Sequence, residues 1–137
     1  MNTNSHYLIR DLVKRTDLSA DSIRFYEKKK LIQPPLRGEN NYRYYDDEAL
    51  KRLIFIKRCR ALDLSLKEIE HLIELERQPD QGCNAVNELI DHHLDQVDAK
   101  IEELQHLQLQ LQQLRQSCHT QSTIDHCNIL KHLEAAD

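Results

Sequence analysis

From Asn84 to about Ser117 the chain runs without a single proline or glycine. Its apolar positions are Val86, Ile90, Leu94, Val97, Ile101, Leu104, Leu107 or Gln108, Leu111 and Leu114. Steps of four and three, held over about four heptads, mark one long helix with a coiled-coil seam. At about 1.5 Å per residue such a helix reaches about 50 Å. No second helix of that length exists in the chain to cover the seam, so the expected cover is a second copy.

The remainder is too small for a large core of its own, and composition agrees with a mainly α fold. Glycine occurs only twice and proline three times, which leaves few tight turns. No apolar run approaches 18 residues, so no membrane-spanning helix is expected. The start, MNTNSHYLIRDLVK, lacks the apolar stretch of a secretory signal. The expected compartment is the cytoplasm, where clustered cysteines bind metal or do redox chemistry more often than they form structural bridges.

Charge divides unevenly. Residues 1–60 carry 14 Lys/Arg against 8 Asp/Glu, a net +6, while residues 61–137 carry 5 against 15, a net −10. A basic head on an acidic body suggests that the head alone meets a polyanion. In that head Leu8, Ile9, Leu12 and Val13 form one helical stripe. Ser19 then offers an N-cap, with Asp21 in the first turn. Ile23, Tyr26 and Leu31 or Ile32 face inward, and Pro34-Pro35 is expected to stop the helix. Two short helices about a tight turn, the second bearing Arg24 and Lys28–Lys30, are a helix-turn-helix layout. Gly38–Asn41 reads as a turn and Tyr42–Tyr45 as a strand, which makes a small β-wing. Asp46 or Asp47 can cap a helix to about Leu62. Ser65 and Glu68 have capping-box spacing for the next helix, and RQPDQGC is a break.

The residues 7–76, with IRFYEKKKLI followed by NYRYYDDEALKRLIFIKRCRALDLSLKEI, resemble the N-terminal winged helix-turn-helix domain of MerR-family transcription regulators. The resemblance extends through the long helix to the terminal CHTQSTIDHC stretch. It implies a winged helix-turn-helix head (1–76), a linker and antiparallel coiled-coil dimerisation helix (77–117), and a short C-terminal metal-binding loop and tail (118–137). Asp17 and Asp63 stand where many members have glycine. One cysteine before the long helix, Cys83, and two around the loop, Cys118 and Cys127, are similar to the cadmium/lead-responsive branch. Zinc-responsive relatives carry a doubled cysteine where this chain has Cys118-His119, and copper(I) relatives lack a counterpart of Cys83.

For DNA, phosphate contacts supply affinity and base edges supply specificity. Arg24 is the candidate for reading guanine, since a guanidinium can engage O6 and N7 together. Ser19, Ser22 and Tyr26 on the same helix, with Asp21 beside them, could touch phosphate or base. Arg43, flanked by Tyr42 and Tyr44, resembles the family's backbone contacts, and Lys57 and Arg60 could add phosphate contacts. Tyr26 is expected to be partly core, Phe25 and Phe55 core, and Lys28–Lys30 a solvated end.

For metal, three thiolates suit Cd²⁺, Pb²⁺, Hg²⁺ or Zn²⁺ rather than Mg²⁺ or Ca²⁺. Cys83 and Cys118 stand at opposite ends of the long helix, so one chain with a straight helix cannot unite them. In an antiparallel pair, Cys83 of one subunit meets Cys118 and Cys127 of the other. His119 and His126 stand by as a possible fourth ligand. His92, His93 and His106 are expected to face solvent, and Cys59 to be a small buried apolar residue.

The resulting expectation is a homodimeric regulator that binds double-stranded promoter DNA and acts with RNA polymerase. It switches on metal-resistance genes when Cd(II) or Pb(II), or else Zn(II) or Hg(II), binds. The rival is a thiol-based redox regulator in which Cys118 and Cys127 form a disulfide. An enzyme finds no support: there is no phosphate loop, nucleophile motif or gathered acid–base pair.

Overall fold

The computed structural model describes residues 6–38, 40, 42–118 and 123–135. It is mainly helical. In chain order it comprises α1 (Ile9–Thr16), α2 (Ala20–Lys28), β1 (Leu36–Arg37), β2 (Arg43–Tyr44), α3 (Asp47–Ala61), α4 (Leu66–Glu76), α5 (Asn84–Gln116), a 3₁₀ turn (Ile124–His126) and α6 (Asn128–Glu134). The chain divides into two compact units, Met1–Val86 and Asn87–Asp137.

In the first unit the helix starts are local chemistry. Asp11 accepts the Leu8 N–H at 2.9 Å. Ser19 Oγ accepts from Ser22 N–H at 3.0 Å, and Asp46 from Ala49 N–H at 2.9 Å. Ser65 and Glu68 complete a reciprocal capping box. Leu12, Ile23, Leu53, Ile56, Leu64 and Ile69 are fully buried. Leu12 packs with the α2 and α3 residues because α1 lies against both helices. Thr16, also buried, keeps its hydroxyl satisfied by donating to Leu12 O at 2.7 Å. Cys59 is buried as expected, and burial pushes its thiol pKa up.

The helix ends differ from expectation at α2. The prolines do not stop it; it ends at Lys28, well before them. Lys30 takes the left-handed conformation (φ 63°), and Leu31 N–H reaches back to Tyr26 O at 2.9 Å. This is the six-to-one closure of a Schellman turn, completed by burial of Leu31. The same closure ends α3, with Asp63 at φ 63° and Leu64 N–H bonded to Cys59 O at 3.1 Å. Asp17, at φ 61°, ends α1. Non-glycine residues therefore occupy three positions where a Cβ carries a penalty of about 1–2 kcal/mol, less for Asp. Lys30→Gly is expected to raise the thermal midpoint by a few degrees, the gain being reduced by glycine's freer unfolded chain. A melt followed by circular dichroism checks this.

The wing is a two-stranded antiparallel ribbon, pairing Leu36 with Tyr44 and Arg37 with Arg43. Its turn needs glycine at 38, because a Cβ there would lie 2.7 Å from the Tyr44 ring. Glu39 and Asn41 of that turn lie outside the described residues. Tyr45 follows the ribbon and exchanges two 2.7 Å backbone hydrogen bonds with Tyr7.

In the second unit Leu89 is buried, although the heptad reading left it out. Leu94, Ile101, Leu104, Leu107 and Leu111 are about half exposed or more, an apolar row left uncovered by the described residues. His92 and His106 are exposed. The terminal segment, read from sequence as loop and tail, contains the 3₁₀ turn and α6. Among the described residues no helix is long and apolar enough to cross a membrane.

Candidate nucleic-acid interface and metal centre

The outward stripe of α2 is Asp21, Arg24, Phe25 and Lys28, at helical spacing. Arg24 forms an exposed pair with Asp21 at 3.4 Å, side chains 62% and 97% accessible. A pair this wet holds Arg24 by at most a few tenths of a kcal/mol, so the guanidinium is available. Ser19 Oγ and Ser22 Oγ are 2.9 Å apart at the start of the same helix.

On α2 one side chain follows the inward reading and one departs from expectation. Tyr26, read as facing inward, is buried at 8% exposure, edge-on to Phe25, so its ring belongs to the core rather than to the outward stripe. Phe25, expected inside, is 42% exposed, with the Lys29 ammonium 5.7 Å from its ring centre. The cause is helix phase: Ile23 and Tyr26 take the inward face, which turns residue 25 outward. Phe55 is half-buried rather than fully inside, with Arg52 5.6 Å from its ring centre.

A groove of about 570 Å³ separates α2 from the wing. Its walls carry Arg24 on one side, Tyr42 and Arg43 on the other, and Arg10 from α1. Three guanidiniums on three elements make a cradle for anions. Within it Tyr45 donates its hydroxyl to Glu27 Oε1 at 2.6 Å. Burial first, then the hydrogen bond to Glu27 and its charge, push the phenol pKa well above its ordinary value, while Arg43 and Arg24 oppose the shift. Arg10, Glu27 and Tyr45 were missed in the sequence because nothing local marks them. Tyr7 was missed too: its hydroxyl donates to Asp47 at 2.8 Å and Arg15 lies over its ring. Tyr44 is half-buried and engages Asn40 Nδ2 at 3.0 Å.

Lys57 and Arg60 have structural partners. Lys57 Nζ donates to Thr16 O, at the end of α1, at 2.7 Å. Arg60 donates to Leu64 O at 3.0 Å, across the turn between α3 and α4. Lys57 thus caps α1, where a cation meets unpaired helix carbonyls, a partner that the sequence did not suggest.

The thiols sort by unit. Cys83 is exposed and belongs to the first unit; Cys118 and Cys127 are half-buried and belong to the second. The latter two are brought together. The backbone N–H of Leu130 has the largest effect on the Cys127 thiol and lowers its pKa; partial burial opposes this, and the Ile129 N–H and the Cys118 thiol add to the lowering. The geometry arises because Cys127 is the N-cap of α6. Asn128 Nδ2 fastens this turn to Ser117 O at 2.9 Å. His126 is exposed, and His119 lies outside the described residues. Among the described residues no three His, Cys, Asp or Glu side chains of one chain converge into a metal site.

These environments predict reactivity. As pH rises, Cys127 reaches its thiolate form before an ordinary thiol does, whereas Cys59 lags behind. Iodoacetamide at pH 7 is therefore expected to label Cys127 well before Cys59, which becomes reactive only on unfolding. Peptide mass spectrometry against time reads the order.

Residues 7–76 match the family described as MerR HTH family regulatory protein, and residues 50–114 the one described as MerR, DNA binding. The HTH-type transcriptional regulator ZntR homolog of Haemophilus influenzae is 42% identical over 105 residues, spanning 77% of this chain and 78% of that protein. The HTH-type transcriptional regulator ZntR of Escherichia coli K12 is 35% identical over 130 residues, 93% of this chain and 92% of that protein. The transcription regulator PbrR691 from Ralstonia metallidurans CH34, solved in complex with lead(II), superposes with a TM-score of 0.82 at 43% identity, covering 93% of this chain and 98% of that one. A winged helix-turn-helix head and a long helix, matched over nearly the whole chain, place the protein in the MerR family of helix-turn-helix, DNA-binding transcription regulators.

Proposed function

We propose that this protein is a metal-responsive transcription regulator that binds promoter DNA as a homodimer and answers a soft heavy-metal ion, Pb(II) or Cd(II) before Zn(II) or Hg(II). The observation that carries the reading is the Cys118–Cys127 pair. Two sulfurs lie in hydrogen-bonding contact, and one is biased toward the thiolate that metals require. Sulfur donors select soft ions, and the similar PbrR691 was solved with lead(II).

The third ligand is Cys83 of a second subunit, and the seam row of α5 is the surface on which that subunit docks. His119 or His126 serves as a fourth ligand for ions that demand one. Ser19, Ser22, Arg24, Tyr42, Arg43, Tyr44 and Arg60 form the DNA-facing set, with Lys57 secondary and Tyr26 at most through its rim. Metal binding alters the dimer, and the dimer sets how two heads hold and distort the promoter for RNA polymerase. That is a coupling between two sites through two states. The site of action is the cytoplasm.

Competition between the dimer and a chelator for Pb²⁺, Cd²⁺, Zn²⁺ and Hg²⁺, run beside transcription in vitro, tests this. Tightest binding and activation by Pb²⁺ or Cd²⁺ support it; activation with no metal requirement overturns it. Contact between Cys118 and Cys127 also favours a second reading, a disulfide switch. Oxidant response that survives Cys83→Ser would select that reading.

For DNA, Arg24→Ala is expected to weaken operator binding by about 1–3 kcal/mol and to relax specificity at one position. Fluorescence anisotropy with operator variants measures both.

A further inference from the structure

A carboxylate in a phosphate-binding groove works against binding, since it cancels one of the cations around it. Glu27 is such a carboxylate. It sits on α2 among Arg24, Arg43 and Arg10 and lines the same groove. It accepts a hydrogen bond from Tyr45, eighteen residues on, at 2.6 Å. Tyr45 is 5% exposed and continues the strand that carries Arg43. Its backbone is clamped to Tyr7.

The wing needs such a tie. A ribbon of two residue pairs is marginal by itself. Its distance from α2 must be held by something outside the ribbon. The hydroxyl–carboxylate bond does this from within the groove, and it spans the two elements that carry Arg24 and Arg43.

We propose that Glu27 is a positioning residue for DNA binding: by accepting the Tyr45 hydroxyl it locks the wing to the second helix and so sets the separation of Arg24 and Arg43. The proposal rests on the DNA-binding reading above. Glu27 touches no DNA in this scheme. Its charge strengthens the bond to Tyr45, and the bond keeps two guanidiniums in register with a duplex. Operator DNA, which needs both contacts in one geometry, gains more from this than random DNA, which tolerates many.

The test uses the full-length dimer, an operator duplex selected by the wild type from a random pool, and a scrambled duplex. Anisotropy titrations run well below each variant's melting temperature. Glu27→Ala and Tyr45→Phe are expected to lose about tenfold on the operator and under threefold on the scrambled duplex. The double variant is expected to be no weaker than either single one. Glu27→Gln, whose amide oxygen still accepts, is expected within threefold of wild type. Tyr45→Phe binding the operator like wild type overturns the proposal. So does Glu27→Ala tightening both duplexes alike, which would make the residue a mere repulsive charge. Equal loss on both duplexes, unrescued by Gln, would assign it to folding and overturn the proposal as well. Arg24→Ala is the independent control: if it binds both duplexes as the wild type does, the DNA reading of this face fails, and the proposal with it.

Discussion

Serine at Cys118 or at Cys127 is expected to weaken Pb²⁺ or Cd²⁺ binding on the order of a thousandfold. Structural zinc sites of about four ligands gain about 10–16 kcal/mol from binding, which leaves about 2.5–4 kcal/mol to each ligand. A neutral hydroxyl is a hard donor and returns little of that to a soft ion. Cys127 should be the more damaging position as pH falls, because its lowered pKa makes it the readier of the two to give up its proton to a metal. Cys83→Ser is expected to cost as much, although Cys83 lies in the other unit of the chain. Cys59→Ser should leave metal affinity intact, since that thiol is buried and outside the set. Hybrid dimers decide where the ligands come from. One subunit lacking Cys83, paired with one lacking both Cys118 and Cys127, should hold a single ion at full strength. Sites built within one chain would leave that hybrid with none. Thiolate-to-metal absorbance per dimer counts the ions.

Leu53→Ala is expected to destabilise the head by about 2–5 kcal/mol, a large part of the roughly 5–15 kcal/mol available to a domain. Leu53 is fully buried in α3 between Ala49 and Ile56, which are also buried. Truncation leaves a cavity that the flanking helices cannot close without moving α1, which packs on α3. The same helix carries Lys57, whose ammonium caps α1 through Thr16 O. Loss of packing therefore also loosens the helix-turn-helix. Leu62→Ala is the control, because Leu62 is 67% exposed and its truncation should be close to neutral. Urea unfolding followed by circular dichroism measures the difference. Equal midpoints for the two variants would refute the placement of the core.

Phe25, the α2 residue that departed from expectation, shows where reading a sequence stops. An apolar ring at 25 suggests burial, but residue type alone does not say which face of the helix it takes. The helix phase, with Ile23 and Tyr26 buried, turns Phe25 out. The cation at 57 shows the same limit: its basic character was plain, but its carbonyl partner lies 41 residues away. Cys118 and Cys127 were legible as a pair because their spacing is short. The N–H groups that tune Cys127 were not, since they exist only once α6 forms.

By itself the sequence determined what depends on near neighbours along the chain. Asp46 and Ser65 as caps, the small wing, and an α5 free of helix breakers all follow from spacing over a few residues, the range of a capping bond or a helical turn. Tertiary structure alone decided what depends on distant segments meeting. It stopped α2 at a left-handed Lys30 rather than at Pro34, because Leu31 had a core to enter. It set Glu27 against Tyr45, and it gave Lys57 to Thr16. The physical reason is that a side chain's type limits the partners it can accept, while the packing of helices fixes which one lies within 3 Å.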